Sequence, residues 1–356
     1  MKNLPNKILF IFISIITISL SIIFIFNKKE KYSEIENRYL SDFSINNIEE
    51  YIRDYFPFKI ELISLKNKLE VLSGKTLIND IYIANDDYLI PRFITNEKKD
   101  AIINTINNFN KKISNVDVMI VPDSILVNEE KLDYHLDIQE DKEIDYLYSK
   151  MNTNNINIIN TLKKENKKNN NLYYKSDHHW TTYGAYIAYQ EYFKIKGKES
   201  YKMNDFTIKK VSDNFEGTSS SLALGLSKKD DIYIFERPTQ LEVNYVYENK
   251  ITNSLYNFDY LNKKNKYEMF LDNNHALIEI ENKLIQDDSN ILIIKNSYAN
   301  AFIPFLVNHY NKTYVIDLRY YPKNVSDYIN EHDIKNTLIL YNLNNMYSDM
   351  SIVKLK

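Results

Sequence analysis

Cysteine is absent from this 356-residue chain. That excludes disulfide frameworks, cysteine-ligated metals, thiol nucleophiles and a cysteine-linked lipid anchor. It also suits life outside a cell, where a lone thiol is a liability. Glycine is scarce, at five residues, and none builds a Gly-rich phosphate loop, which argues against nucleotide-dependent chemistry. There is no excess of positive charge. The formal net charge is -3, so no basic footprint for nucleic acid exists. Tryptophan occurs once, at Trp180, and histidine six times.

What is present begins with an uncharged run over residues 8–26, dominated by Ile and Phe. At 1.5 Å per residue it covers about 28 Å, close to the hydrocarbon thickness of a bilayer. Lys2 and Lys7 precede it, and Lys28, Lys29 and Lys31 follow it, so the positive-inside rule does not decide its orientation. A cleaved signal peptide is the rival reading. No small-x-small site closes the run, which favours an uncleaved signal anchor. Residues 1–7 then read as a cytoplasmic tail, 27–45 as a polar stalk and 46–356 as one extracytoplasmic domain.

Apolar spacing predicts a helix over 48–72, broken by Pro57 and stopped at Gly74. Two short strands about Asn85-Asp86-Asp87 follow, then a helix over 97–113. The run "VDVMIV" (116–121) ends in Pro-Asp-Ser and reads as a buried parallel strand. A helix is expected over 144–151, a strand over 156–162, a charged loop over 163–171 and a helix over 181–195. Residues 198–290 alternate in short stretches and read as an irregular β-rich insertion. Strands at 291–294, 314–316 and 337–341 alternate with helices at 299–308 and 325–329. That alternation predicts an α/β/α fold on a parallel sheet.

Two segments carry chemistry. In "ILIIKNSYAN" (291–300) Ser297 stands where a strand gives way to a helix. Ligands of open α/β sheets bind outside the carboxyl ends of strands. The N–H groups of the expected helix would face a developing oxyanion there. An N-cap serine looks the same in sequence. In "SDHHWTTYG" (176–184), Asp177 and His179 are two apart. In extended backbone such residues share a side, with His178 facing away. A serine hydroxyl needs a base, and a carboxylate orients that base, so Asp177, His179 and Ser297 are the candidate catalytic residues. Asp177, His178 and His179 could also offer metal ligands. Adjacent histidines rarely converge on one ion and no H-x-x-x-H spacing occurs, so no metal is assigned.

The segment "SDHHWTTYGAY" is similar to the signature of the DHHW family of bacterial membrane-anchored proteins. That family resembles the SGNH-hydrolase-like alginate O-acetylation proteins, which carry D-x-H-W ahead of a nucleophilic serine. Further pieces of the resemblance are "SEIENRYLS" (33–41), "IEEYIRDYFPFK" (48–59), "FEGTSSS" (215–221), "NSYANAFIPFL" (296–306) and "VIDLRYY" (315–321). It implies an SGNH-like fold, with Asp177 as orienting acid, His179 as base and Ser297 as nucleophile. One departure stands out: Asn296 occupies a position usually acidic in such families.

Weaker candidates surround this core. Trp180 is either packing or a sugar platform. Gly217 and Thr218 either present an oxyanion N–H or form a plain turn. Arg319 either holds an anionic group at the rim or is ion-paired. Tyr298 and Asn300 flank the serine, where packing and capping explain them equally. The resemblance implies O-acetylation of a surface or secreted polysaccharide, with a multi-pass membrane acyltransferase as acyl donor and no cofactor. The rivals are an esterase using the same triad and a non-catalytic scaffold or glycan-binding protein.

Overall fold

A computed structural model describes residues 4–26, 30–133, 135–168, 171–226 and 228–355. The apolar N-terminal run forms helix α1 (Leu4–Phe26), whose 6–26 stretch has a mean hydropathy of 3.0 and is not buried by the rest of the protein. It is the one helix among the described residues long and apolar enough to cross a membrane. The expected helix over 48–72 is two, α2 (Ile48–Tyr55) and α3 (Lys59–Leu72), divided at Pro57. Within the segment read as a stalk, residues Tyr32–Ser33 and Arg38–Tyr39 pair as a small hairpin. Asp54 of α2 is buried against it. Its carboxylate takes Arg38 in a two-pronged ion pair, Lys59 at 3.3 Å and the Ser41 N–H at 2.9 Å. The Arg38 hydrogen bond holds the Asp54 carboxyl well below the usual carboxylate range.

The body is an eight-stranded sheet between helical layers. Its strands are β1 (Val116–Val121), β2 (Asn154–Asn155), β3 (Leu241–Tyr245), β4 (Lys250–Thr252), β5 (Leu277–Asn282), β6 (Asn290–Lys295), β7 (Lys312–Ile316) and β8 (Thr337–Asn342). They lie in the order β4-β3-β5-β7-β6-β8-β1-β2. The five strands from β7 to β2 are parallel. The other three extend the sheet antiparallel. The region expected to be a β-rich insertion is therefore partly sheet: β3, β4 and β5 come from it. Only the ribbon of Thr207–Phe215 with Asp230–Glu236 stands apart.

Period-two alternation divides the core. Met119, Val121, Ile291, Ile293, Leu338 and Leu340 pack on one face, against the helix Thr182–Ile195. Val118, Ile120, Leu292, Ile294 and Ile339 pack on the other, against the helices Lys99–Ile113 and Glu140–Lys150. Asp117 interrupts the apolar run of β1 yet is buried. Lys196 at 2.8 Å and the Tyr192 hydroxyl at 3.0 Å satisfy it, as a buried carboxylate requires.

Two local expectations fail. The strand over 156–162 and the loop after it are instead the two-residue β2 and a helix, Ile159–Asn166, whose Ile159 and Leu162 face the core. Residues 169–170 of that loop lie outside the described residues. The helix over 299–308 is a 3-10 turn, Ser297–Ala301, followed by one α-turn, Ile303–Leu306. Pro304 supplies no N–H donor and stands near the start of that turn, where a longer helix would have placed it inside.

Candidate active site

Strand register brings three polar strand ends together. β6 pairs with β8 so that Lys295 lies opposite Leu340, and β8 pairs with β1 so that Asn342 lies opposite Val121. Ser297, Asn342 and Asp123 thus leave neighbouring parallel strands at their carboxyl ends. The "DHHW" segment lies in a loop closed by an antiparallel bridge of Tyr173 to Trp180, and its His179 reaches this edge.

His179 Nε2 lies 2.7 Å from Ser297 Oγ, and His179 Nδ1 lies 2.5 Å from Asp177 Oδ1. The three expected residues are therefore in one hydrogen-bonded line. Asp177 is 1% exposed and Ser297 9%. Every Asp177 oxygen is engaged. Oδ1 also accepts the His179 N–H at 2.9 Å, and Oδ2 accepts the Thr218 N–H at 2.8 Å and its hydroxyl at 3.1 Å. Burial works against ionisation of Asp177, but the neighbouring His178 and His179 and the bonds from His179 hold its carboxyl well below the usual range. The donor atoms of Asp177, His178 and His179 lie within 4.8 Å of one another, close enough to suggest a metal. The Asp177 oxygens are nonetheless already filled by protein donors.

His178 does not face away, as extended backbone predicts. Residues 177–179 form bends, and the His178 ring sits 3.8 Å from the His179 ring. Its Nδ1 is 2.6 Å from Thr218 Oγ1. Burial, and to a lesser degree the His179 charge, lower it to about 4.

Gly217 and Thr218 are not oxyanion donors. The Gly217 N–H bonds Ser176 Oγ at 3.2 Å and the Thr218 N–H is spent on Asp177. Gly217 is needed for space: a Cβ there would stand 2.1 Å from Asp177 Oδ2. Trp180 is no sugar platform. It is fully buried, stacked on Phe302, with Nε1 donating to the Tyr298 carbonyl at 2.9 Å. Tyr298 is buried and donates its hydroxyl to the His178 carbonyl. Arg319 forks onto Asp317, with Nε 2.9 Å from Oδ1, so it holds no anion at a rim. Asn300 accepts from the buried Lys295 at 2.8 Å and so belongs to that same ionic cluster rather than to the serine.

Asn296 has a physical reason to be an amide. Its Oδ1 caps the Tyr298 N–H at 3.2 Å and its Nδ2 donates to Asn342 Oδ1 at 2.6 Å. Asn342 in turn donates to Asp123 Oδ1 at 2.6 Å, and the Asp123 N–H donates to Glu140 Oε1 at 2.6 Å. A carboxylate at 296 would present an acceptor to the Asn342 oxygen. Sequence reasoning missed this chain, and it missed Tyr267. That ring stacks on His179 at 3.8 Å and 11°, and its hydroxyl donates to the Ser297 carbonyl at 3.1 Å. Tyr267 lies in an irregular stretch that no periodicity marks. The Pro-Asp-Ser end of β1 was a readable signal for Asp123.

Fold and site together define a three-layer α/β protein with a serine–histidine–aspartate line at the carboxyl edge of its parallel strands. The sequence model of the DHHW protein family matches residues 24–316, and the chain belongs to that family. Among solved structures, a DHHW family protein from Eubacterium siraeum shares 19% identity. Its TM-score is 0.66, covering 78% of this chain and 97% of that one. Bacillus cereus PatB1, in a structure with a sulfonyl adduct, shares 20% identity at a TM-score of 0.66, covering 78% and 98%. The O-acetyltransferase domain of Pseudomonas putida AlgJ matches at 12% identity and a TM-score of 0.47, covering 75% and 92%, too distant to carry function. No curated protein matches the sequence.

Proposed function

We propose that this chain is a membrane-anchored, extracytoplasmic serine acyltransferase of the SGNH-hydrolase type, transferring an acetyl group to a surface or secreted polysaccharide. The observation that carries the reading is the line from Asp177 through His179 to Ser297, at 2.5 and 2.7 Å. In this reading His179 Nε2 takes the proton from Ser297 Oγ as the oxygen attacks the acetyl carbonyl. Asp177 holds the proton on Nδ1 and stabilises the imidazolium. The same proton passes to the leaving group, and the acetyl ester stays on Ser297. A sugar hydroxyl then loses its proton to His179 and attacks the ester; the Ser297 Oγ–acetyl bond breaks, His179 returns that proton to Ser297 Oγ, and the sugar carries the acetyl group away. No cofactor is required.

The Ser297 N–H heads the 3-10 turn Ser297–Ala301, where backbone donors have no acceptor within the turn. We assign it to the oxyanion, in place of Gly217 and Thr218. The resemblance further suggests a multi-pass membrane acyltransferase as donor. Labelling with an arylsulfonyl fluoride tests the nucleophile. Mass spectrometry should place the adduct on Ser297, and Ser297→Ala should abolish it. An adduct of equal yield on another residue of the variant would end the proposal. Release of free acetate in the presence of acceptor oligosaccharide would favour an esterase instead.

A further inference from the structure

Helix α3 carries an apolar ridge that the body does not cover. Leu62, Leu65, Leu69 and Leu72 are 50%, 55%, 57% and 82% exposed, at spacings of three and four residues that align them on one side. Phe58, 56% exposed and one turn earlier, continues the ridge. Lys66 and Lys68 are exposed and flank it, one on each side by helical angle; Lys66 lies 3.6 Å from Glu70, and the exposed Glu61 stands on the Lys68 side. The opposite side of α3 does the packing. Asn67 is buried and donates to the Leu224 carbonyl at 3.0 Å, and Ser64 lies against Gly225.

The start of the ridge lies near the apolar N-terminal helix, since Phe58 and Ile23 line one surface groove. Phe24, in the last turn of α1, meets the ring of Tyr51 on α2 at 6.1 Å, and Tyr51 also meets Phe43 at 5.3 Å. The Tyr55 hydroxyl donates to the Glu30 carbonyl at 2.9 Å. Aromatic rings gathered at the end of an apolar span are characteristic of a membrane interface. Asp54, Arg38 and Lys59 then tie α2, the hairpin and the first turn of α3 into one ionic cluster. Ile45, Ile48 and Ile52, in and just before α2, are exposed as well.

We propose that α3 lies in the headgroup region of the membrane that holds α1, its leucine ridge dipped into the acyl boundary and its lysines facing anionic headgroups. An amphipathic helix with basic flanks binds a bilayer surface in this way. The segment that α3 packs on, residues 217–226 with the short helix Thr218–Leu222, also supplies Thr218 to Asp177. The docked helix and the candidate active site are therefore two sides of one segment.

The absence of cysteine makes the test direct, since any cysteine introduced is unique. Full-length Leu65→Cys and Leu69→Cys are labelled with an environment-sensitive nitrobenzoxadiazole dye and placed in phosphatidylcholine–phosphatidylglycerol nanodiscs. Leu284→Cys is the control, between β5 and β6 at the far end of the strands from Ser297 and 55% exposed. Both α3 labels should shift to the blue. Each should also lose about half its emission when doxyl-labelled lipid is included, since such a face sits ~5–10 Å into the headgroup–acyl boundary. The Leu284 label should do neither. Water-like, unquenched emission at both α3 positions overturns the proposal. A blue shift that doxyl lipid leaves unquenched and that grows with protein density also overturns it, assigning the ridge to a second copy. The measurement reads no turnover, so its outcome is independent of the triad.

Discussion

Gly217→Ala separates the proposed Asp177–His179–Ser297 triad from its scaffold with one methyl group. Gly217 has φ -90 and ψ -157, a conformation open to alanine, so the backbone bears no strain. The new Cβ would stand 2.1 Å from Asp177 Oδ2 and 2.5 Å from its Cγ. The Asp177 Cβ, at 2.3 Å, clashes as well, so the side chain and the backbone that carries it must retreat about 1.1–1.3 Å to reach ordinary van der Waals contact at 3.4 Å. That retreat breaks the Thr218 bonds to Oδ2 and tilts Oδ1 away from His179. A misplacement of ~1 Å costs on the order of 10²-fold in rate. The ceiling is the ~10⁴-fold loss expected when the orienting acid is disabled outright. Overpacking should cost only about 1–3 kcal/mol of stability, leaving the domain folded. The assay is turnover of an activated acetyl ester, with near-ultraviolet circular dichroism as the folding check. Adding Asp177→Asn to Gly217→Ala should cost little more than Asp177→Asn alone, because both act on the same carboxylate. A folded Gly217→Ala protein with wild-type turnover would refute the reasoning.

Ser297→Ala and His179→Ala should each remove on the order of 10⁴–10⁶-fold of ester turnover, and Asp177→Asn somewhat less, read by the same assay. His178→Ala should fall between these and a surface change. It removes the ring that packs on His179 and the partner of the Thr218 hydroxyl; Thr218→Val, which also loses the hydroxyl bond to Asp177, should cost at least as much. A His178→Ala variant as inactive as His179→Ala would mean that the base has been misassigned. Glu140 is fully buried, and burial plus the Asp123 charge raise its carboxyl well above the usual range. Unfolded, it ionises near its ordinary value of ~4.3, so between that value and the raised one the native state binds the extra proton. Stability should therefore fall as pH rises through this window. Glu140→Gln keeps the acceptor for the Asp123 N–H and removes the ionisation. Urea midpoints at about pH 5 and pH 9 should show a smaller fall in the variant, and an equal fall would discount the buried proton.

The sheet was legible because β1, β6, β7 and β8 are short apolar runs closed by turn residues. The pairing of β3, β4 and β5 onto the same sheet was not, since register with β7 is a long-range property that no local pattern encodes. The Asp177–His179–Ser297 line was legible for a partly different reason from the one that holds. Asp177 and His179 meet through a bend whose carboxylate is clamped by Thr218, and alternation along a strand plays no part. That clamp comes from residues forty positions later in the chain. Arg319, Asn300 and Trp180 carried polar groups in promising places, but burial had already supplied each with an internal partner, which composition cannot reveal.

The ends of the sheet bear on how such chains live beside one another. On the proposed membrane anchor, chains would meet far more often than free ones, and a long bare strand would let neighbours zip together. Here β4 offers three residues at one margin and β2 only two at the other. Short margins are a known defence against strand addition. Crowding on a membrane is thus compatible with each copy keeping to itself.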